Sequence, residues 1–245
     1  IRDELTLAPN EWLLYVNYFG ICQANVERVL TQFPRHQVII DNAQAFFSPA
    51  QDCLATIYSP RKFFGVPDGG YLVTPLQVAM PEQLDTQSPE RCLHLLKRIA
   101  LDPESGYPDY LAAEESLVRQ SPRQMSRLTR RLLATQDYSE AHRKRRNNFD
   151  FLDQHLRKRN QFQFHLGRID APLCYLFRGA RPGTREHLIR NRIFVPTYWH
   201  DVLKEDHQAP QFERSLPAND LCLPCDQRYD VHDMERIIDA LSEEI

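Results

Sequence analysis

Four short apolar runs in the first third of the chain most narrowly limit what it can fold into. Each has the length of a strand and is followed by a loop or a helical stretch, and they cover residues 12–19, 37–41, 54–58 and 70–74. Between the first two runs, Val26, Val29, Leu30 and Phe33 have the spacing of one helix face. Near-continuous apolar strands with intervening helices are typical of a sheet that is covered on both faces. The sequence therefore predicts an α/β fold with a mostly parallel sheet.

The second part of the chain has a different pattern. Strongly charged helical stretches are predicted over residues 90–100, 114–134 (with a break near Ser121 and Pro122) and 139–160. Strand-like segments follow at residues 173–177, 193–196 and 220–224, and a last helix is predicted over residues 230–241. We therefore predict a large domain over residues 1–146 and a small C-terminal α+β domain over residues 147–245.

Composition excludes several classes of protein. Hydrophobic residues make up 42% of the 245 residues, which argues against disorder, and the net charge of −3 gives no general nucleic-acid footprint. No apolar run approaches the ~20 residues that span a bilayer, and no secretory signal is visible. The six cysteines are scattered, which favours a cytoplasmic location. The chain begins at Ile1 in a stretch that resembles the middle of a domain, so we expect an N-terminal portion to be missing.

Polar side chains lie at the ends of three of the predicted strands. Asp41 ends the second run, Ser59 and Lys62 follow the third, and Asp68-Gly69-Gly70 precedes the fourth. In open α/β sheets, ligands bind beyond the carboxyl ends of the strands, so Asp41 and Lys62 are placed to share one pocket. Pyridoxal 5′-phosphate (PLP) needs such a pair, because a lysine amine holds it as a Schiff base and a carboxylate keeps its ring nitrogen protonated. A nearby hydroxyl such as Ser59 can hold the phosphate.

Three segments together resemble the DegT-type sugar aminotransferases, a family with the aspartate-aminotransferase fold (fold type I). They are Val38-Ile39-Ile40-Asp41-Asn42-Ala43-Gln44, Ser59-Pro60-Arg61-Lys62 and Asp68-Gly69-Gly70-Tyr71-Leu72-Val73-Thr74. Residues 221–225 and 233–241 are similar to the final strand and helix of the family. The resemblance implies that Lys62 forms the Schiff base, that Asp41 contacts the pyridine nitrogen and that Gln44 lies close to the ring. It also implies a homodimer.

The chain departs from the family pattern at the phosphate site. Members carry a serine five residues before the lysine, where this chain has Ile57. We therefore expect Ser59 or Thr56 to bind the phosphate of the cofactor. The asparagine that members send from the partner subunit has no clear equivalent around residues 106–110. The glycine-rich phosphate loop and the stacking aromatic of the family would lie upstream of Ile1. These differences indicate a divergent branch.

The resemblance implies a PLP-dependent aminotransferase. It would move an amino group from an amino acid to a keto group of a sugar or similar small molecule, with a nucleotide sugar as one candidate substrate. Two alternatives stay open: a degenerate, non-catalytic homologue that serves as a binding or regulatory module, and a PLP enzyme of another reaction type. Cys222 and Cys225 also have the spacing of a metal or redox pair, but no second pair or histidine pair accompanies them, so we predict no metal site.

Overall fold

The computed structural model describes residues 5–204 and 211–242. The chain forms two compact units. The first comprises the residues up to Tyr18 together with Gln23–Asp137, and the second comprises Phe19–Cys22 and the residues from Tyr138 onward. The assignment of residues 1–146 and 147–245 to a large and a small domain stays a prediction. No helix in the described ranges is both long and apolar enough to cross a membrane.

The first unit contains a four-stranded sheet. An α-helix lies between its first two strands, and the other α-helices follow its last strand. Its elements are β1 (Leu13–Val16), α1 (Gln23–Gln32), β2 (Val38–Asn42), β3 (Ala55–Tyr58), β4 (Tyr71–Val73), α2 (Ser88–Arg91), α3 (Leu93–Ala100), α4 (Pro103–Glu115) and α5 (Arg127–Ala134). The strands are arranged in the order β1-β2-β3-β4. The first three are parallel, and β4 is antiparallel to β3. The prediction of an α/β fold with a mostly parallel sheet is confirmed.

Helix α1 covers one face of this sheet. Val26, Val29 and Leu30 of α1 pack with Val38 and Ile40 of β2 in a single buried cluster. The strand residues that alternate with Val38 and Ile40 lie on the opposite face of the sheet. On that face Leu14 of β1 is 56% exposed and Leu72 of β4 is 50% exposed. The predicted cover on both faces is therefore incomplete among the described residues.

The helices after the sheet differ from the predicted ones. The stretch 90–100 is divided at Cys92 into α2 and α3. The predicted helix over residues 114–134 is interrupted around the predicted break at Ser121 and Pro122, but the break is longer than predicted, because α4 ends at Glu115 and α5 begins only at Arg127. Pro122 opposes helix propagation, and Ser126 caps α5 by accepting a hydrogen bond from the backbone N–H of Thr129 at 3.0 Å.

The second unit is built around a long helix and a two-stranded antiparallel sheet. Its elements are α6 (Tyr138–Leu156), β5 (Cys174–Arg178), α7 (Thr184–Arg190), α8 (Asp201–Lys204), α9 (Gln211–Asn219), β6 (Asp220–Pro224) and α10 (Val231–Ser242). The apolar stripe of α6 that the sequence shows, including Phe149 and Leu152, is fully buried in the core of this unit. The predicted strand over residues 193–196 is wrong. Ile193 and Val195 are buried in the same core, so the alternating apolar pattern reflects burial of an irregular segment.

Candidate active site

Asp41 lies at the carboxyl end of β2, on the incompletely covered face of the sheet. Its register partners are Val16 in β1 and Ile57 in β3. Its Oδ1 accepts a hydrogen bond from the backbone N–H of Ala43 at 2.8 Å, which fixes the carboxylate where the chain leaves the strand. Asp41 is half-buried at this strand end.

Lys62 ends a short 3₁₀ turn, Pro60–Lys62, that follows β3. The carbonyl of Pro60 accepts hydrogen bonds from the backbone N–H groups of Phe63 (3.0 Å) and Phe64 (2.9 Å), so the turn is closed around the lysine. The Lys62 side chain is exposed and reaches solvent. Desolvation by the surrounding protein nevertheless lowers the pKa of its amine, Asp41 opposes this shift, and Arg61 adds to it. The Asp41 and Lys62 charges therefore interact.

Gln44 is buried in the turn that follows Asp41. The turn is held by backbone hydrogen bonds from Ala45 to the carbonyl of Asn42 and from Ser48 to the carbonyl of Ala45, both 2.9 Å. Asn17, at the end of β1, donates to Oδ1 of Asn42 at 3.1 Å and to Oγ of Ser48 at 3.3 Å. A buried amide network therefore fixes the segment that bears Asp41 and Gln44.

The two hydroxyls considered for a phosphate have different environments. Thr56 is fully buried on the α1 side of the sheet, in register with Ile40, and its Oγ1 accepts a hydrogen bond from the backbone N–H of Gln51 at 3.1 Å. Ser59 is half-buried directly before the turn of Lys62 and does not cap that turn with its side chain. The geometry favours Ser59 over Thr56 as the phosphate hydroxyl, and that role stays a prediction.

Asp68 has a structural role that the sequence did not reveal. It is buried, and its carboxylate accepts hydrogen bonds from the backbone N–H of Ser126 (3.0 Å), from Oγ1 of Thr129 (2.9 Å) and from Oγ of Ser88. Ser126 and Thr129 form the amino-terminal end of α5, where a negative charge is favourable. Asp68 therefore ties the segment before β4 to two helices.

Gly69 meets two separate constraints next to Asp68. Its φ of +101° lies in the left-handed region, and a Cβ built there would lie 2.8 Å from Cε of Met125. We expect Gly69→Ala to lower the free energy of unfolding by about 1–3 kcal/mol, measured by urea denaturation. Gly65→Ala is the matched control, because a Cβ there meets only Leu95 at an ordinary 3.8 Å. Equal stability of the two variants would contradict the prediction.

The cysteine pair offers no reactive site. Cys222 and Cys225 are buried with Cys174 in the core of the second unit, and all three are free thiols. Burial raises the pKa of the Cys225 thiol to about 12 and raises that of Cys174 well above its usual value. Buried thiols of high pKa are poor nucleophiles and poor metal ligands. No group of three or more histidine, cysteine or acidic side chains in the described ranges is arranged to hold a metal ion.

The fold defined by these elements is that of the sugar aminotransferases. Similar solved structures include AtS13 from Actinomadura melliaura (TM-score 0.62, 15% identity, covering 97% of this chain and 68% of that one). DesI in the presence of its TDP-sugar product has a TM-score of 0.60 at 15% identity, over 96% of this chain and 62% of that one. A DegT DnrJ EryC1 StrS aminotransferase from Brucella abortus has a TM-score of 0.56 at 14% identity, over 95% and 64%.

These similarities confirm the predicted aspartate-aminotransferase fold over nearly the whole chain. The chain spans about two thirds of the length of the structures that it resembles. At the level of sequence, no family model and no curated protein matches it. The roles of Lys62, Asp41, Gln44 and Ser59 are not tested by the comparisons and stay predictions.

Proposed function

We propose that this chain is a divergent DegT-type aminotransferase that uses PLP to move an amino group from an amino acid to a keto group of a sugar or similar small molecule. The observation that supports it most strongly is the placement of Asp41 at the carboxyl end of β2 and of Lys62 in the turn that follows the adjacent parallel strand β3. Gln44 and Ser59 complete the proposed cofactor site, Gln44 near the ring and Ser59 at the phosphate. The neighbouring structures of sugar aminotransferases are consistent with this class.

The donor set fits PLP. A lysine must be neutral to bond to the aldehyde of the cofactor, and the lowered pKa of Lys62 increases its neutral fraction at physiological pH. A carboxylate at the opposite end of the ring is required for the pyridine nitrogen, and Asp41 is the acidic group that interacts with Lys62.

Each proposed residue has one task. PLP, when bound, supplies an electron sink for the pair of electrons left at the α-carbon of the amino acid. Asp41 holds the proton on the pyridine nitrogen, which strengthens that sink. Lys62 anchors the cofactor and, once displaced by the donor amine, moves a proton with its Nζ as general base and general acid. Gln44, fixed by the turn that follows Asp41, orients the ring.

The substrate and assembly are part of the same proposal. DesI was crystallised with its TDP-sugar product, which supports a nucleotide sugar as the acceptor class for this chain. A homodimer is proposed by analogy with the DegT-type enzymes, and a cytoplasmic location is proposed from the scattered cysteines.

Reductive trapping tests the proposal directly. The protein is incubated with PLP, treated with sodium borohydride, digested and analysed by mass spectrometry for phosphopyridoxyl-lysine. We expect Lys62 to be labelled faster than the exposed Lys158, because a bound cofactor would be held beside Lys62 and the lowered pKa of its amine increases the neutral fraction that reacts. Similar labelling of both lysines would show that PLP reacts without a site, and the proposal would be abandoned.

A further inference from the structure

The Phe46 ring lies between the segment of Asp41 and the segment of Lys62. It follows Gln44 by two positions, in the turn after β2. Five aromatic rings surround it, at centroid distances of 5.0 Å for Phe64, 5.4 Å for Phe47, 5.7 Å for Phe63, and 6.3 Å for both Tyr58 and Tyr71. The contacts with Phe64, Phe47 and Tyr58 are edge-to-face, the geometry that aromatic pairs prefer.

These contacts continue where the backbone pairing stops. The register of β2 with β3 ends at Asn42 and Tyr58, before the chain reaches either Gln44 or Lys62. Beyond that point, Phe63 and Phe64 directly follow Lys62, and Phe46 directly follows Ala45 of the turn. The Phe46 ring therefore joins the two loops at the place where the sheet no longer does.

We propose that Phe46 is a positioning residue that holds the Lys62 amine at its place relative to the Asp41 carboxylate. The proposal rests on the proposed function of that pair, and it assigns a role to a side chain that touches neither charged group in its ring contacts. Two elements contact the Phe46 ring: the Lys62 loop through Phe63 and Phe64, and the sheet through Tyr58 and Tyr71.

A shorter aliphatic side chain at position 46 would loosen this arrangement. Leucine cannot reach all five rings or make edge-to-face contacts, so the loop of Lys62 would gain freedom and its amine would gain water. Desolvation is the largest influence that lowers the pKa of Lys62, while Asp41 raises it and Arg61 lowers it. The Arg61 guanidinium donates to Glu114 of α4, so the charge of Arg61 is held independently of the aromatic cluster. Loosening is therefore expected to raise the pKa of Lys62 towards its ordinary value.

The test measures the amine in the protein without PLP. Acetylation of Lys62 by acetic anhydride is followed by peptide mass spectrometry as a function of pH, for the native chain and Phe46→Leu. We expect the midpoint to move up by about half a pKa unit in the variant, which lowers the acetylation rate at about pH 8 roughly threefold. The matched control is Phe33→Leu, a buried phenylalanine in the α1 core of the same unit, which should leave the profile of Lys62 unchanged.

Phe64→Leu provides a second variant from the other side of the shortest ring contact, and it should move the profile in the same direction. It decides the matter if Phe46→Leu does not fold, as judged by urea denaturation. The positioning role would be overturned if the folded Phe46→Leu and Phe64→Leu variants kept the native pH profile of Lys62 acetylation. An equal shift of that profile in Phe33→Leu would also overturn it. Reductive trapping with PLP is a separate measurement. If PLP does not label Lys62 but the acetylation profile of Lys62 still shifts in the variants, the cofactor proposal is refuted and the positioning role is retained.

Discussion

Replacing Lys62 by alanine should abolish the absorption band at about 420 nm that the protein is expected to develop with PLP. The band arises from the covalent link between the lysine amine and the cofactor aldehyde, and alanine has no amine to form it. We also expect gel filtration to strip the cofactor from the variant. The transfer of the amino group from glutamate, followed as keto-acid formation, should fall below detection.

The controls separate this effect from general damage. Lys97→Ala removes a second lysine amine of the same unit, paired with Asp109 at 2.6 Å, and should retain the band. Because the Lys62 side chain is exposed, Lys62→Ala should unfold at nearly the native urea concentration. A band of native intensity in Lys62→Ala would show that another amine forms the link to PLP, which would refute the proposed function.

The strands were predictable because their pattern is local. A run of apolar residues that ends in a polar one defines a buried strand and its end within a few positions. Residues 37–41 were predicted and Val38–Asn42 is observed, while residues 220–224 were predicted and Asp220–Pro224 is observed. Asp41 and Lys62 then had to lie near each other, because parallel neighbouring strands end at the same edge of the sheet.

Features that depend on tertiary partners could not be predicted in the same way. Ile193 and Val195 alternate with an exposed Phe194 as strand residues do, but no strand of the described sheets pairs with them. The break near Pro122 was predicted, but its extension to Ser126 was not, because it depends on the cap of α5 and on the hydrogen bond from Ser126 to Asp68. Local pattern indicates which side chains are buried, while hydrogen-bond partners decide the backbone conformation.

The residues that hold the candidate site in place could not be recognised in the sequence, for a related reason. Asn17, Asn42 and Ser48 are separated by up to 31 positions and are common residue types, so only the folded chain shows that they share hydrogen bonds. The phenylalanines at positions 46, 63 and 64 look like ordinary core residues in the sequence. The sequence therefore suggests candidate residues with reactive groups, but it does not show which residues hold those candidates in place.

Asp68→Ala should be the most destabilising of the substitutions considered, because it leaves three donors without their acceptor. The backbone N–H of Ser126, Oγ1 of Thr129 and Oγ of Ser88 all donate to this carboxylate. Each buried donor left unpaired costs about 1–3 kcal/mol, so we expect a loss of about 3 kcal/mol or more in the free energy of unfolding. Against a typical stability of about 5–15 kcal/mol, such a loss is large, and urea denaturation monitored by circular dichroism would measure it.

Two variants make this prediction specific. Asp68→Asn keeps the shape and one acceptor oxygen but points an amide at donors, so it should lose less than the alanine variant. Asp52→Ala removes a carboxylate that is 93% exposed and pairs only weakly with Arg35, at 3.4 Å, and it should leave stability almost unchanged. If Asp68 acted mainly on a bound ligand, Asp68→Ala would unfold like the native chain in the absence of PLP. A native unfolding curve for Asp68→Ala would thus indicate that Asp68 contacts a ligand and does not stabilise the start of α5.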